Sequence, residues 1–395
     1  MGPSGKDIKI CLITPEFPPE QWGGLARTVA QVAAQMAALG LQVHVAHFQV
    51  TAEALVLLDE NRRVREHGQV KVHQITVGRE KMGDTPRQLW DCPHTLTLQM
   101  IYHSLEMLHQ QEQFSLLHSF FLYPLGYLTG LLARRMNIPC IATLLGNDVK
   151  KYFFSPEKVA VCRSGLENAD YVVALSQDLL DQAQALAPIS HKAQIIYNSV
   201  AIPVAAWQPR ERREQFRLGC AGIFKYAKGL PYLLKAFAAV LREQEGELEL
   251  VGGLREEEKP VFAAMLQRTG SGPRVKFRGP LPHLQIQEWL RSLDVFVLPS
   301  VSEGCPNILM EAMANGVPCV ATRTGANAVL LEDRVSGLLV PWGDSRSLAQ
   351  AIGELLGNPG WAASLGAAAR RRMGDFSPPR EQAAWAAVYR RFLYF

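Results

Sequence analysis

The chain has 395 residues, 48% of them hydrophobic and 20% charged, which is an ordinary globular composition and enough length for two or three domains at roughly 150 residues each. This excludes a collagen, a coiled coil or a mainly disordered chain. A net charge of +4 from 41 basic and 37 acidic groups excludes a dedicated nucleic-acid binder, which needs clustered Lys and Arg.

Short β-branched runs alternate with amphipathic helical stretches. IKICLIT (8–14) precedes a helix over about 25–39, and QVHVAHF (42–48) and VKVHQIT (70–76) follow. Residues 77–93 are polar and irregular. The helix predicted over 94–112 carries His94, His103 and His109, which lack the i, i+4 spacing of a helical metal site. Its apolar successor, 120–133, is 14 residues long and broken by Pro124, Gly126 and Gly130, short of the roughly 20 needed to span a bilayer. LLHSF (116–120), PCIATLL (139–145), YVVALS (171–176) and AQIIYNS (193–199) complete a first series. Continuous apolar runs of this kind are parallel strands covered on both faces by helices. Such βαβ repetition predicts a doubly wound sheet.

Pro203–Arg217, with a charge run and two prolines, reads as an interdomain linker. A second series runs LGCAGIF (218–224), ELELVGG (247–253), RVKFRG (274–279), DVFVLPS (294–300), PCVATRT (318–324) and GLLVP (337–341), again with helices between. The last helix, over 379–395, carries Trp385, Tyr389, Phe392 and Tyr394. The expected fold is thus α/β: two doubly wound Rossmann-like domains facing a cleft, 1–202 and 218–378. Seven scattered cysteines without CxxC spacing, and no secretory leader, predict reduced thiols and a cytoplasmic protein. Residues 1–200 carry 17 basic and 18 acidic groups (net −1), leaving 24 and 19 (net +5) for 201–395, a balance that favours an anionic ligand on the second half.

Three segments carry chemistry. Gly23 and Gly24 stand immediately before a helix, where bare backbone amides and the helix dipole suit an anion. Lys225 and Lys228 follow a strand at the edge where such sheets bind ligands, and could neutralise a diphosphate. SVSEGCPNILMEAMANGVPCVAT (300–322) places Glu303 in a loop and Glu311 on the second turn of a helix opened by Pro306. Two carboxylates there suit a hydroxyl-rich ligand, and the amides of Asn307 and Ile308 are free for an anion. No GxGxxG follows a strand, which disfavours a nicotinamide enzyme.

On Glu303-GCPNILM-Glu311, PEFPPEQWGGLARTV, GIFKYAKG and SGLLVPWGD, in that family's order, the whole chain resembles the GT-B glycosyltransferases of the family-4 type. The resemblance implies transfer of a sugar, with retention, from a nucleotide-diphosphate sugar to a hydroxyl of a glycan, lipid-linked or small-molecule acceptor, without a metal or other cofactor. It implies that Gly23 and Gly24 face the donor phosphates and that Lys228 binds the diphosphate. It assigns Glu303 to the donor sugar, Glu311 to the ribose, and Cys305, Pro306, Asn307 and Ile308 to sugar and diphosphate contacts. Glu16, His118 and Asn147 fall on the acceptor or sugar side, and the last helix packs back on the first domain. Peripheral contact with the inner membrane surface accords with relatives that act on lipid-linked acceptors.

The sequence departs from the family at several places. Ile223 stands where an arginine is usual, with Lys225 as its substitute. The second histidine of His-x-His is Phe120, and the reaction-centre histidine is Leu145, which leaves Asp148 beside it as a candidate catalytic residue with Glu303, Lys228 and Lys225. Two alternatives are a sugar-nucleotide epimerase built from the same two domains and a non-catalytic sugar-nucleotide binder.

Overall fold

A computed structural model describes residues 8–21, 23–51, 60–78, 95–209 and 215–395, save the side chains of Asn147 and His283. The chain divides into two units, Met1–Tyr197 with Glu381–Phe395, and Asn198–Arg380. Each is a parallel sheet wrapped by helices.

The first unit holds β1 (Lys9–Thr14), β2 (Gln42–Thr51), β3 (Arg62–His67), β4 (Val70–Gly78), β5 (Leu116–Phe120), β6 (Cys140–Leu144), β7 (Tyr171–Ala174) and β8 (Ala193–Ile195). Their order in the sheet is β3-β4-β2-β1-β5-β6-β7-β8. All neighbours are parallel except β3 and β4. The alternation of side chains splits β1 between two cores. Ile10 and Leu12 pack with Val29, Val32 and Met36 of the helix Gly24–Ala38, while Cys11 and Ile13 pack with Ile101 and Leu105 of the helix Thr95–Glu112. Each such aliphatic burial stabilises by about 1.5–3 kcal/mol.

β3 (RRVREH) is absent from the sequence reading, and its charges explain why. It is a short edge strand with Arg63, Val64 and Glu66 exposed, joined to β4 through Gly68 at φ 61°. Charged edge strands resist further pairing but lack the apolar run that betrays a buried strand. The expected irregular stretch 77–93 begins inside β4, and His94 with residues 79–93 lies outside the described residues.

The C-terminal helix Pro378–Tyr389 sets Trp385 and Tyr389, one turn apart, into the first unit's core. The Tyr389 hydroxyl lies 2.6 Å from His118 Nδ1, and His118 Nε2 lies 2.7 Å from Thr143 Oγ1. Gln31 and Gln35 both donate to Glu381 Oε2. Tyr389→Phe keeps the ring packing but strips a buried nitrogen of its partner. It should lower the first unit's stability by about 1–2 kcal/mol, read from urea unfolding.

The second unit holds β9 (Phe216–Ala221), β10 (Gly246–Val251), β11 (Val275–Gly279), β12 (Val295–Leu298), β13 (Cys319–Thr322) and β14 (Leu338–Val340), all parallel, in the order β11-β10-β9-β12-β13-β14. It takes up the chain at Asn198, ahead of the boundary expected at 203, because hydrogen bonds hold that stretch. Asn198 Nδ2 donates to Asn307 Oδ1 (2.8 Å) and Val200 N to Phe376 O (3.0 Å). Within the expected linker, Trp207 donates to Asn315 O and Leu293 O, and β9 already begins at Phe216. No helix among the described residues is long and apolar enough to cross a membrane.

Candidate functional site

β9 and β12 are neighbours in the sheet, so the loops leaving their C-terminal ends lie side by side, although 75 residues separate their functional side chains. After β9 the chain turns through Gly222, Lys225 and the tight turn Tyr226–Lys228 into the helix Leu230–Val240. After β12 it runs through Ser300 to Glu303 and enters the helix Asn307–Asn315. The two loops are tied by Val301 N donating to Ala227 O at 2.9 Å.

There Lys228 Nζ meets Glu303 Oε1 at 2.5 Å, and Ser300 Oγ donates to the same oxygen at 2.6 Å. The side chains are 17% and 10% exposed, so the pair is largely desolvated. Its geometry depends on glycine. Gly229 holds φ 66°, and a Cβ there would lie 1.9 Å from Pro299 O; at Gly325 (φ 52°) it would lie 2.2 Å from Glu303 O. Beside the pair, the helix Asn307–Asn315 leaves the amides of Asn307 and Ile308 without an acceptor among the described residues. A charge-balanced Lys–Glu pair and an open helix start are the parts an anion site needs.

The neighbouring expectations are placed as follows. Pro306 is the residue before the helix rather than its first. The Asn307 side chain accepts from Asn198, which leaves its amide as the group facing outward chemistry. The buried Cys305 places its thiol 3.8 Å from Met310 Sδ. Glu311 is 2% exposed on the second turn. Lys225 opens the turn and borders a groove lined by Phe224, Leu234 and Phe262. Ile223, in the arginine's place, is 51% exposed.

In the first unit, Gly23 caps the helix Gly24–Ala38, and a Cβ on it would lie 3.2 Å from Glu16 Oε2. The Glu16 carboxylate thus already stands near that positive helix end. Two expectations need correction. His118 is fully buried with both ring nitrogens engaged, and burial pushes it down to about 3, so it is a neutral core residue rather than an acceptor contact. Asp148 is also fully buried. It accepts from the amides of Leu145 (3.1 and 3.2 Å) and Gly146 (2.8 Å); burial raises its pKa against those bonds. Its carboxylate caps a short helix and is not presented to a substrate. Asn147 opens that helix, and Leu145 packs against the core.

Among the described residues one group has metal-ligand chemistry, and it includes none of the histidines of the helix Thr95–Glu112. His44, His73 and Glu112 place a ligand atom each within 4.8 Å of one another. Glu112 is held by Lys71 at 2.7 Å and Lys9 at 3.1 Å, so ammonium groups already balance its charge. His103 pairs with Glu106. Sequence reasoning missed Ser300 and Asn198, which carry no motif of their own.

The fold is that of known GT-B enzymes. The structure matches sucrose-phosphate synthase from Thermosynechococcus elongatus with a TM-score of 0.78 over 97% of this chain and 98% of that one, at 23% identity. It matches HepE of Anabaena, solved with UDP and glucose, with a TM-score of 0.77 over 97% and 100% at 19% identity. Residues 23–199 match the glycosyl transferase 4-like domain and residues 215–358 the glycosyl transferases group 1 family. The N-acetyl-alpha-D-glucosaminyl L-malate synthase of Bacillus anthracis is 26% identical over 75% of this chain and 77% of its own length. The chain belongs to the GT-B, family-4-like glycosyltransferases.

Proposed function

We propose that this glycosyltransferase takes a hexose from a nucleoside-diphosphate sugar and transfers it, with retention and without a metal, to a hydroxyl of a second substrate. The observation that carries the reading is the desolvated Lys228–Glu303 pair beside the open amides of Asn307 and Ile308. Lys228, with Lys225 nearby, meets the diphosphate, while those amides take its remaining oxygens. Glu303 accepts hydrogen bonds from the sugar hydroxyls and Glu311 from the ribose. Gly23 and Gly24 of the first unit are given the role of further phosphate donors by the family resemblance. HepE, solved with UDP and glucose, supports a uridine donor.

The chemistry follows from where charge develops. As the bond to the anomeric carbon breaks, negative charge builds on the diphosphate, where an ammonium and backbone dipoles are already oriented. The acceptor hydroxyl attacks from the leaving-group side and passes its proton to a departing phosphate oxygen. This is the work a divalent cation does elsewhere, so EDTA should leave turnover unchanged.

A melting-temperature screen over UDP, UDP-glucose, UDP-N-acetylglucosamine and GDP-mannose tests the donor. A ligand at a hundred times its Kd stabilises the folded state by about 2.7 kcal/mol. One of these should raise the melting temperature and be consumed only when an acceptor is present. Failure of every nucleotide to bind would sink the reading, and an inverted anomer in the product, seen by NMR, would refute retention. The expected setting is cytoplasmic, with the acceptor either soluble or at the membrane surface.

A further inference from the structure

The Glu303 carboxylate divides its two oxygens. Oε1 receives both Lys228 Nζ at 2.5 Å and Ser300 Oγ at 2.6 Å. Among the described residues no contact falls on Oε2. Ser300, just past the end of β12, is fully buried, while the Glu303 side chain keeps 10% of its surface. The hydroxyl therefore reaches the carboxylate from the protein side. The second oxygen, with its lone pairs unspent, is the one left for a hydroxyl of a ligand.

A serine bonding three residues along the chain is commonly a turn-forming device. Here the turn is held without it. Val301 N and Ser302 N donate to Ala227 O at 2.9 and 3.3 Å, and Ala326 N donates to Gly304 O at 2.8 Å. Thr322 Oγ1 donates to Ser300 O at 2.5 Å, and Asn327 Nδ2 donates to Thr322 O at 2.9 Å. The segment 300–304 is thus pinned by the turn after β9 on one side and by the chain leaving β13 on the other. What the Ser300 hydroxyl adds is the direction of the carboxylate. The last torsion of a glutamate is broad, and an ammonium on a flexible stem attracts it as a point charge without fixing its plane. A charge-assisted O–H···O⁻ bond from a buried hydroxyl on a pinned backbone does fix it. That bond also outlasts the other one. When Lys228 turns to a diphosphate, Ser300 is the group that keeps Oε1 occupied and Oε2 facing the ligand.

Resting on the transferase reading, we infer that Ser300 is a positioning residue for Glu303: its hydroxyl locks Oε1, so that Oε2 presents one acceptor, in one direction, to a hydroxyl of the donor sugar. A hydrogen bond weakens steeply with misalignment, so the lock acts on the sugar contact. The nucleoside diphosphate is held by other groups and is indifferent to it.

The test is calorimetric titration of the full chain with UDP-glucose, UDP-N-acetylglucosamine and GDP-mannose, and with UDP and GDP. The quantity read is the affinity for the nucleotide sugar divided by that for its bare nucleoside diphosphate. In Ser300→Ala this ratio should fall about fivefold to tenfold, with the bare nucleotide bound within about twofold of wild type. In a Glu303→Ala background, Ser300→Ala should lower the ratio no further, because the lock then has nothing to hold. A serine that only shapes the loop would weaken both ligands together, and its cost would add to that of Glu303→Ala. Should Ser300→Ala fail to fold, Ser300→Cys decides: its weakly donating thiol should lower the ratio in the same direction. An unchanged ratio, equal losses for both ligands, or additive losses in the double variant overturn this inference. A wild type that binds none of the nucleotide sugars overturns the donor reading instead.

Discussion

Lys228→Met is expected to lower kcat/KM by about 10²–10³-fold, the usual loss when one preorganised group facing transition-state charge is removed. The structure also predicts a cost in stability, and the two effects can be separated. Lys228 is the counter-ion of Glu303 at 2.5 Å, and Ser300 supplies that oxygen's other bond. Removing the ammonium leaves a carboxylate only 10% exposed without compensation, for which roughly 3 kcal/mol is typical. The double variant Lys228→Met with Glu303→Gln removes both charges and should recover most of that stability. It should recover none of the turnover, because neither leaving-group nor sugar contact returns. Urea unfolding and steady-state kinetics on the three proteins read the two quantities independently. Activity restored together with stability in the double variant would show that the pair is merely structural.

That pair also shows what the sequence could and could not reveal. Glu303, Glu311 and Lys228 stand in recognisable motifs, and the strands before them are apolar runs that only a two-faced parallel sheet produces. Their meeting is a matter of sheet order: β9 lies beside β12 although β10 and β11 intervene along the chain. No local pattern reports that adjacency. His118 and Asp148 mislead in the opposite way. A histidine in an apolar strand and an acid after a glycine look chemical, yet the first bonds a tyrosine 271 residues away and the second caps its own turn. β3 is missed because an edge strand is free to be charged.

The first unit should unfold on mild acidification while the second stays folded. Nine of the chain's ten histidines lie in the first unit's segments, and only His283 lies in the second. Five of the nine, His44, His47, His73, His109 and His118, are buried, and burial lowers the pKa of each. Burial pushes His44 and His47 down from 6.5 to about 4, and His73 and His118 to about 3. Below 6.5 the unfolded chain takes up protons that the folded unit refuses. The stability these groups contribute is therefore complete above pH 6.5 and lost as pH falls toward 4, at about 1.4 kcal/mol per pH unit for each proton. His44 and His73 lie 3.0 Å apart, and neither holds a proton in the folded unit at pH 5, so each counts as one proton. Four protons, each only half bound by the unfolded chain at pH 6.5, give roughly 6 kcal/mol between pH 6.5 and 5, or about 4 after allowing for solvent screening, a large part of a domain's 5–15 kcal/mol. Glu112 adds to the loss at lower pH: burial opposes ionisation, but Lys71 and Lys9 outweigh it and hold the group near 2. Asp148, raised by burial, works the other way and is a single group. Hydrogen exchange at pH 5 should show amides of β1, β2 and β5 losing protection while those of β9, β12 and β13 keep it. If the first unit stays protected to pH 4.5, its histidines are charged or solvated in the folded state, and the neutral, sealed core around His118 and Tyr389 is wrong.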